Sequence, residues 1–368
     1  MTRKTSSGRF PESVIDLLAA QAKGDSLKLA AVAATALEHG HPERAYALAR
    51  EARSIAPTDP EVASLAQQSI ASNVPSWHFG IVRDEARNAA YDAALRNAVA
   101  PDARVLDIGA GTGLLAMMAA RAGAARVASC EMNRAVADAA AEIVALNGYS
   151  DRIRIVAKHS TDLDPASDLG GRADVLVSEI VSNDMLGQSV LPVMEDAVAR
   201  LLKPGGAMIP ASGRVRVALA HWAGLDERLP GEAAGFDISP FRRLDRVPQR
   251  LGRGDPRLAL LSDPADLFDF DFASGGPFLP ERTKLELRAS GGRVNGIVQW
   301  IHLKLDDRID YENDPVPGGS SCWACLFYPL ERALEAEAGL TVTVHGAHNR
   351  RSLRIWADPA GGEGGEAT

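Results

Sequence analysis

The chain has 368 residues, a formal net charge of −8, 46% apolar side chains and 24% charged ones. That length suits two or three globular domains, and the acidic balance argues against a nucleic-acid partner. No apolar run reaches membrane-spanning length, no apolar signal segment follows Arg3 and Lys4, and three cysteines fit a reducing cytoplasm better than a disulfide framework.

Residues 1–10 read as disordered. Helices are expected over 11–23, stopped by Gly24, over the alanine-rich 26–39, and over 42–55, ended by Pro57, with a further helix at 60–71. Ala33, Ala45, Ala52 and Pro57 are spaced by 12, 7 and 5, with Gly40 in the turn. This spacing matches a tetratricopeptide unit, with small residues where two helices cross. One unit cannot bury its own apolar face. The segment 11–72 therefore reads either as a helical hairpin packed on the rest of the chain or at a dimer interface, or as a peptide-docking surface. A single helix over 77–99 should lead into an α/β domain spanning 73–211.

That domain carries the most informative stretch. Val105-Leu106-Asp107-Ile108 reads as a strand, Gly109-Ala110-Gly111-Thr112-Gly113 as a glycine turn, 114–122 as a helix, and 127–131 as a second strand ending in Glu131. The pattern is the first βαβ unit of a nucleotide-type site, with an acidic residue placed for ribose hydroxyls. NAD is the competing ligand. Glycines at 109, 111 and 113 lack the dinucleotide spacing, however, and Asp107 has the wrong charge to sit near a pyrophosphate. S-adenosylmethionine, which has an amino group and a ribose but no phosphate, fits better. A third strand at 153–156 precedes His159-Ser160-Thr161, a polar turn at the adenine end. A fourth at 173–178 ends at Ser178-Glu179, on the edge where open α/β sheets bind ligands. Residues 193–202 read as helix, and Pro204-Gly205-Gly206 as its stop before another strand. After Gly213 the texture changes to strands near 214–220, 284–288, 296–305, 324–328, 340–345 and 352–356, with 225–268 irregular. The expected fold is thus α/β plus β: a doubly wound Rossmann-like sheet, then a β-barrel-like domain over 212–358, with a short helical extension in front. Residues 359–368 read as a disordered tail.

The order of these features resembles the protein arginine methyltransferase family. The resemblance rests on His78-Phe79-Gly80-Ile81-Val82-Arg83-Asp84-Glu85-Ala86-Arg87, on Gly113 to Met118, on 147–151 with Lys158 to Thr161, on Ser178-Glu179, and more loosely on 235–239 and the β-domain. It implies an S-adenosylmethionine-dependent transfer to a guanidino nitrogen of arginine, in a protein, a peptide or a small cationic substrate, by a homodimer. By position, Arg87 would hold the methionine carboxylate, and Asp107, Gly109, Gly111 and Gly113 would line the methionine and ribose. Glu131 would take the ribose hydroxyls, with Ser160 and Thr161 bordering the adenine. Glu179 would be the first of the two glutamates that hold the guanidinium.

Two positions depart from the family. Nine residues after Glu179, where the second glutamate is expected, stands Gln188, and in Ser321-Cys322-Trp323 the family's histidine has become Cys322 while Trp323 remains. Arginine keeps its charge in solution, so its site must accommodate a cation. Losing one carboxylate at 4 Å removes up to ~4 kcal/mol at an effective dielectric near 20, before desolvation. Asp184 either points inward as a replacement or caps its own loop. Two other readings stay open: a neutral acceptor such as an amide or imidazole, and a cofactor-binding scaffold without turnover. Cys322 and Cys325 could join His345 and His348 around a metal, but strand alternation sends the cysteines to opposite faces. A core cysteine pair is the expectation, with no metal.

Overall fold

The computed structural model describes residues 9–358 except Asn73, 229–230, Arg246 and 317–320, and only the backbone of Gln188, Asp226 and Arg242. The segments 1–8 and 359–368, read from the sequence as disordered, lie outside the described residues. Phe10, grouped with the first of them, packs on the helices: its ring lies 4.1 Å from that of His39, and its amide donates to His39 Nδ1 at 3.1 Å.

Four helices come first: α1 (Glu12–Gln21), α2 (Ser26–Glu38), α3 (Pro42–Ile55) and α4 (Pro60–Ala71). Asp25 and Asp59 cap α2 and α4 by accepting from Lys28 N and from Glu61 and Val62 N. Ala30, Ala33 and Ala36 of α2 and Ala45, Ala49 and Ala52 of α3 are fully buried, so the helices approach through methyl groups. The unit packs on the next domain through the partners that Tyr46 and Arg50 find in Asp138.

The helix expected over 77–99 is two: α5 (Trp77–Ile81) and α6 (Glu85–Ala98). Asp84 divides them, because its carboxylate accepts from Arg87 N at 2.9 Å and starts a new helix. A parallel sheet follows. Its strands are β1 (Arg104–Ile108), β2 (Arg126–Cys130), β3 (Ile153–Val156), β4 (Ala173–Ser178) and β5 (Leu202–Ile209), in the order β3-β2-β1-β4-β5. Helices α7 (Leu114–Ala122), α8 (Arg134–Leu146) and α9 (Val190–Asp196) connect them, and a π-helical turn Ala197–Leu201 ends the segment read as one helix over 193–202. Strand order reverses between β1 and β4, with Ile108 opposite Ser178. The loops leaving those two ends open on one edge, the place where such sheets bind ligands.

The remainder is strand-rich. A seven-stranded antiparallel sheet contains β6 (Ser212–Trp222), β9 (Gln249–Leu251), β10 (Leu258–Leu260), β11 (Ala265–Asp271), β13 (Gly292–Lys304), β14 (Asp310–Glu312) and β15 (Cys325–Ala336), and a second sheet contains β12 (Glu281–Arg288), β16 (Thr341–His348) and β17 (Leu353–Ala357). Contacts of β11 with β12 and of β15 with β17 curl the two into a barrel-like body. The stretch 225–268, read as irregular, holds α10 (Gly224–Arg228), a hairpin of β7 (Glu232–Ala233) and β8 (Phe236–Asp237), a 3-10 turn Ser239–Leu244, and the strands β9, β10 and most of β11. These strands are short and paired to distant partners, so packing rather than local propensity makes them. In β11, Phe268 and Phe270 turn inward while Asp266 and Asp269 meet Arg214 and Arg216 of β6. Among the described residues, no helix is long and apolar enough to cross a membrane.

Candidate active site at the β1–β4 edge

A cavity of about 570 Å³ opens at this edge, within the range of small-ligand sites. Its floor is the turn after β1. Gly109 has φ +90°, and a Cβ there would lie 2.7 Å from Ile180 Cγ2, so only glycine lets the turn meet the loop after β4. Gly111 N donates to Glu131 Oε2 at 3.2 Å, while Asn133 N donates to Oε1 at 2.9 Å. Glu131 is 7% exposed and lines the cavity. Burial raises its carboxyl above the ordinary value, against the amides that pull it down.

The opposite wall carries Arg87 and Glu179, which pair at 2.8 Å. Arg87 also donates to Asn88 Oδ1 at 2.7 Å, and among the described residues its Nε is buried without a partner, as is Glu179 Oε1. Burial pushes the Glu179 carboxyl up to about 7, against the pull of Arg87 and with a further push from Asp84 and Asp107. Among the described residues, then, one buried guanidinium faces several carboxylates, and the pair keeps one donor and one acceptor atom unpartnered beneath the cavity surface. The wall fits the carboxylate, ammonium and sulfonium of S-adenosylmethionine better than it fits a phosphate.

The loop from Glu179 to Ser189 is held by the β-domain. Trp323 Nε1 donates to Val181 O at 3.1 Å, Ala324 N to Asn183 Oδ1 at 2.8 Å, and Gln299 Nε2 to Asn183 O at 3.0 Å. Met185 is fully buried with φ +72°. A residue to which the sequence reading gave no role joins the pieces. Asp84, 2% exposed, accepts from Arg87 N, from Tyr311 Oη at 2.6 Å and from Cys322 N at 2.9 Å. Burial alone would raise its carboxyl, but these donors bring it below its ordinary value. Its local signal was an aspartate just ahead of a helix, which shows the cap and not the other two partners.

Several expected wall residues stand elsewhere. Asp107 is fully buried behind the cavity, with Oδ2 accepting from Ser129 Oγ at 2.7 Å, because its side chain turns into the sheet interior. Burial pushes it up to about 7, against Ser129 and Arg87. Gly113 faces α8, where a Cβ would meet Val144 Cγ2 at 3.1 Å. Ser160 lines the cavity, but Thr161 bonds to His159 and is exposed. Asp184 caps its own loop, pairing with Ser182 Oγ and accepting from Leu186 N at 3.2 Å and Gly187 N at 3.3 Å. It therefore does not replace the missing glutamate. The Gln188 side chain lies outside the described residues, and its backbone belongs to the 3-10 turn Gly187–Ser189. Trp323 braces the loop rather than lining the cavity, and Cys322 stands behind Arg87 and Glu179. Burial and the carboxylates of Glu179 and Asp84 keep Cys322 a neutral thiol. Cys325 donates to Asn313 O, His345 bonds to Asp358, and His348 packs between Phe268 and Phe270, so these side chains are engaged apart.

Comparison with known proteins agrees with this geometry. A sequence-family model described as ribosomal protein L11 methyltransferase (PrmA) matches residues 92–217. The arginine N(omega)-methyltransferase of Streptomyces achromogenes subsp. streptozoticus is 37% identical over 320 residues, covering 84% of this chain and 87% of the relative. Protein arginine N-methyltransferase 7 of Oryza sativa subsp. japonica is 32% identical over 75% of this chain, which spans 44% of that relative. For the Drosophila grimshawi protein of the same name the values are 34%, 62% and 36%, so the chain spans less than half the length of these two relatives. Among solved structures, the Trypanosoma brucei PRMT1 enzyme-prozyme heterotetrameric complex with AdoHcy superposes with a TM-score of 0.67 at 23% identity, over 79% of this chain and 96% of the other. Arabidopsis thaliana protein arginine methyltransferase 10 gives 0.65 at 18%, over 78% and 93%. Sheet order, glycine turn, buried Glu131 and the match along most of the chain converge: this protein belongs to the arginine methyltransferase family of class I, S-adenosylmethionine-dependent methyltransferases.

Proposed function

We propose that the chain methylates a guanidino nitrogen of arginine, with Glu179 as the catalytic carboxylate. One observation carries the reading: Glu179 is buried in the cavity wall, tied to Arg87 by one oxygen, while the other has no hydrogen-bond partner among the described residues. Arg87 and Glu131 would hold the methyl donor by its carboxylate and ribose, with Gly109 and Gly111 letting the backbone approach it and Ser160 near the adenine. The donor, when bound, supplies an electrophilic methyl group. Glu179 Oε1 would hold the guanidinium, concentrate its charge on one nitrogen and orient another toward the methyl. With a carboxyl near 7, Glu179 can also accept the proton that nitrogen releases. Asp84, Trp323 and the Cys322 backbone act as positioning groups.

Free arginine is the first acceptor to test, because the relative matched along most of its length is named for arginine rather than for protein arginine. An acceptor needing less charge is the second reading, favoured by Asp184 turning into its own loop. Incubation with radiolabelled methyl donor and free arginine, arginine peptides or amide and imidazole compounds, followed by amino-acid analysis, decides between them. Methylarginine supports the proposal; label on another acceptor, or on none, removes it. Gln188→Glu should raise arginine turnover if the site is an arginine site short of one charge.

Homodimerisation belongs to the same proposal. The segment 236–247 exposes Phe236 (71%), Phe241 (61%), Leu244 (74%) and Val247 (62%), an apolar group that a partner copy would cover. The α2–α3 pair is tetratricopeptide-like, and free thiols at Cys130, Cys322 and Cys325 fit the cytoplasm.

A further inference from the structure

A carboxylate from outside the sheet domain reaches the cavity. Glu43, in the first turn of α3, lines it together with Glu131, Met132 and Asn133. Helical spacing puts Glu43, Tyr46 and Arg50 on one face, at i, i+3 and i+7. That face is fixed to α8. Tyr46 Oη donates to Asp138 Oδ2 at 2.8 Å, Arg50 pairs with the same oxygen, and Arg134 Nε donates to Oδ1 at 3.0 Å. Tyr46 is buried, and burial and Asp138 hold its hydroxyl protonated as a donor. Helix α8 starts just after Asn133, whose side chain caps it. Docking at Asp138 therefore sets Glu43 beside the edge that follows Glu131. Among the described residues, the Glu43 carboxylate has no hydrogen-bond or ion-pair partner.

We propose that Glu43 binds the nucleoside half of the methyl donor, accepting a hydrogen bond from a ribose hydroxyl or the exocyclic amine, and that the helical extension is thereby part of the cofactor site. The inference rests on the reading of Glu131 as the ribose residue. A neutral donor group on the nucleoside suits this place: Glu43 is exposed and lines the same cavity as Glu131.

The test titrates S-adenosylhomocysteine and 5′-methylthioadenosine, which lacks the amino-acid end, into the full chain and its variants by calorimetry. Glu43→Ala should weaken both by the same factor, about tenfold, as for one lost hydrogen bond to a partly exposed charge. Glu43→Gln, which keeps the shape, should fall between it and the parent. Asp138→Ala, which undocks the extension, should match Glu43→Ala, and the double variant should be no weaker than either. Unligated melting curves of Glu43→Gln should coincide with those of the parent, which separates binding from folding. Affinities within twofold of the parent would overturn the proposal. So would an unchanged S-adenosylhomocysteine affinity with a raised KM for the acceptor, which would move Glu43 to the acceptor. Glu131→Ala is the control: if it still binds S-adenosylhomocysteine like the parent, the ribose reading itself fails.

Discussion

Gly111 and Glu131, which meet at the floor of the cavity, are 20 residues apart in the chain, whereas Asp84 and Cys322, which meet behind its opposite wall, are 238 apart. The floor comes from one βαβ unit whose backbone geometry fixes its own side chains. The wall is assembled from the start of α6, the loop after β4 and the strands around β14 and β15. The two sides should accordingly fail in different ways. Damage to the floor should cost affinity for the methyl donor. Damage to the wall should cost turnover and the fit between domains.

The largest effect should separate the two sides directly. Glu179→Gln should lower kcat by about 10²–10³-fold, the range for removing one preorganised electrostatic contact, while S-adenosylhomocysteine still binds. Equal losses in kcat and in that affinity would place Glu179 with the floor and dissolve the comparison. Next comes Asp84→Ala, which leaves the Tyr311 hydroxyl and the Arg87 and Cys322 amides without their acceptor. Urea unfolding should show a loss of about 2–4 kcal/mol, with turnover falling more than donor affinity. A change under about 0.5 kcal/mol would mean the junction is held elsewhere.

Smaller, and specific to the wall, is the pH response. Glu179 must be ionised to hold a guanidinium, and its carboxyl lies at about 7 in the free protein. The value of kcat/KM should therefore rise about tenfold per pH unit below 7 and level off above it. A profile flat from pH 6 to 8 would remove the ionised Glu179 from the mechanism. Asp107 should act on stability alone, without a change in turnover. Folded Asp107 keeps its proton up to about 7, whereas the unfolded chain releases it near 4. The folded state binds more protons in that window, so its contribution is full below about 4 and is lost as pH rises through 7. Asp107→Asn should flatten part of the decline in urea midpoint between pH 5 and 8. A parallel decline in both proteins would show that Asp107 does not carry it.

Legibility in the sequence follows the same division. The glycine turn, Glu131 and the helices α1–α4 were readable because spacing along the chain dictates them: period 3.6 for the helices, and a strand, turn and helix in succession for the turn. Glu179 was legible as a carboxylate at a strand end, but its role and the whole of Arg87 came through resemblance, and their 2.8 Å pairing came from the fold. The strands β7 to β10 were missed because two or three residues carry no period of their own, and β11 because a register shift between Asp266 and Phe268 breaks its alternation.

The amino-acid order by itself determined that this chain builds a parallel-sheet site for a methyl donor, since a glycine turn and an acidic residue at a strand end need only local backbone geometry. It also determined the Gln188 and Cys322 substitutions. Tertiary structure alone decided that Asp107 turns behind the wall, that Asp184 caps its loop, that Asp84 joins three segments, and that Glu43 arrives at the cavity from a separate helical unit. Each of these depends on which distant groups burial brings within hydrogen-bond reach, and spacing along a chain does not encode that distance.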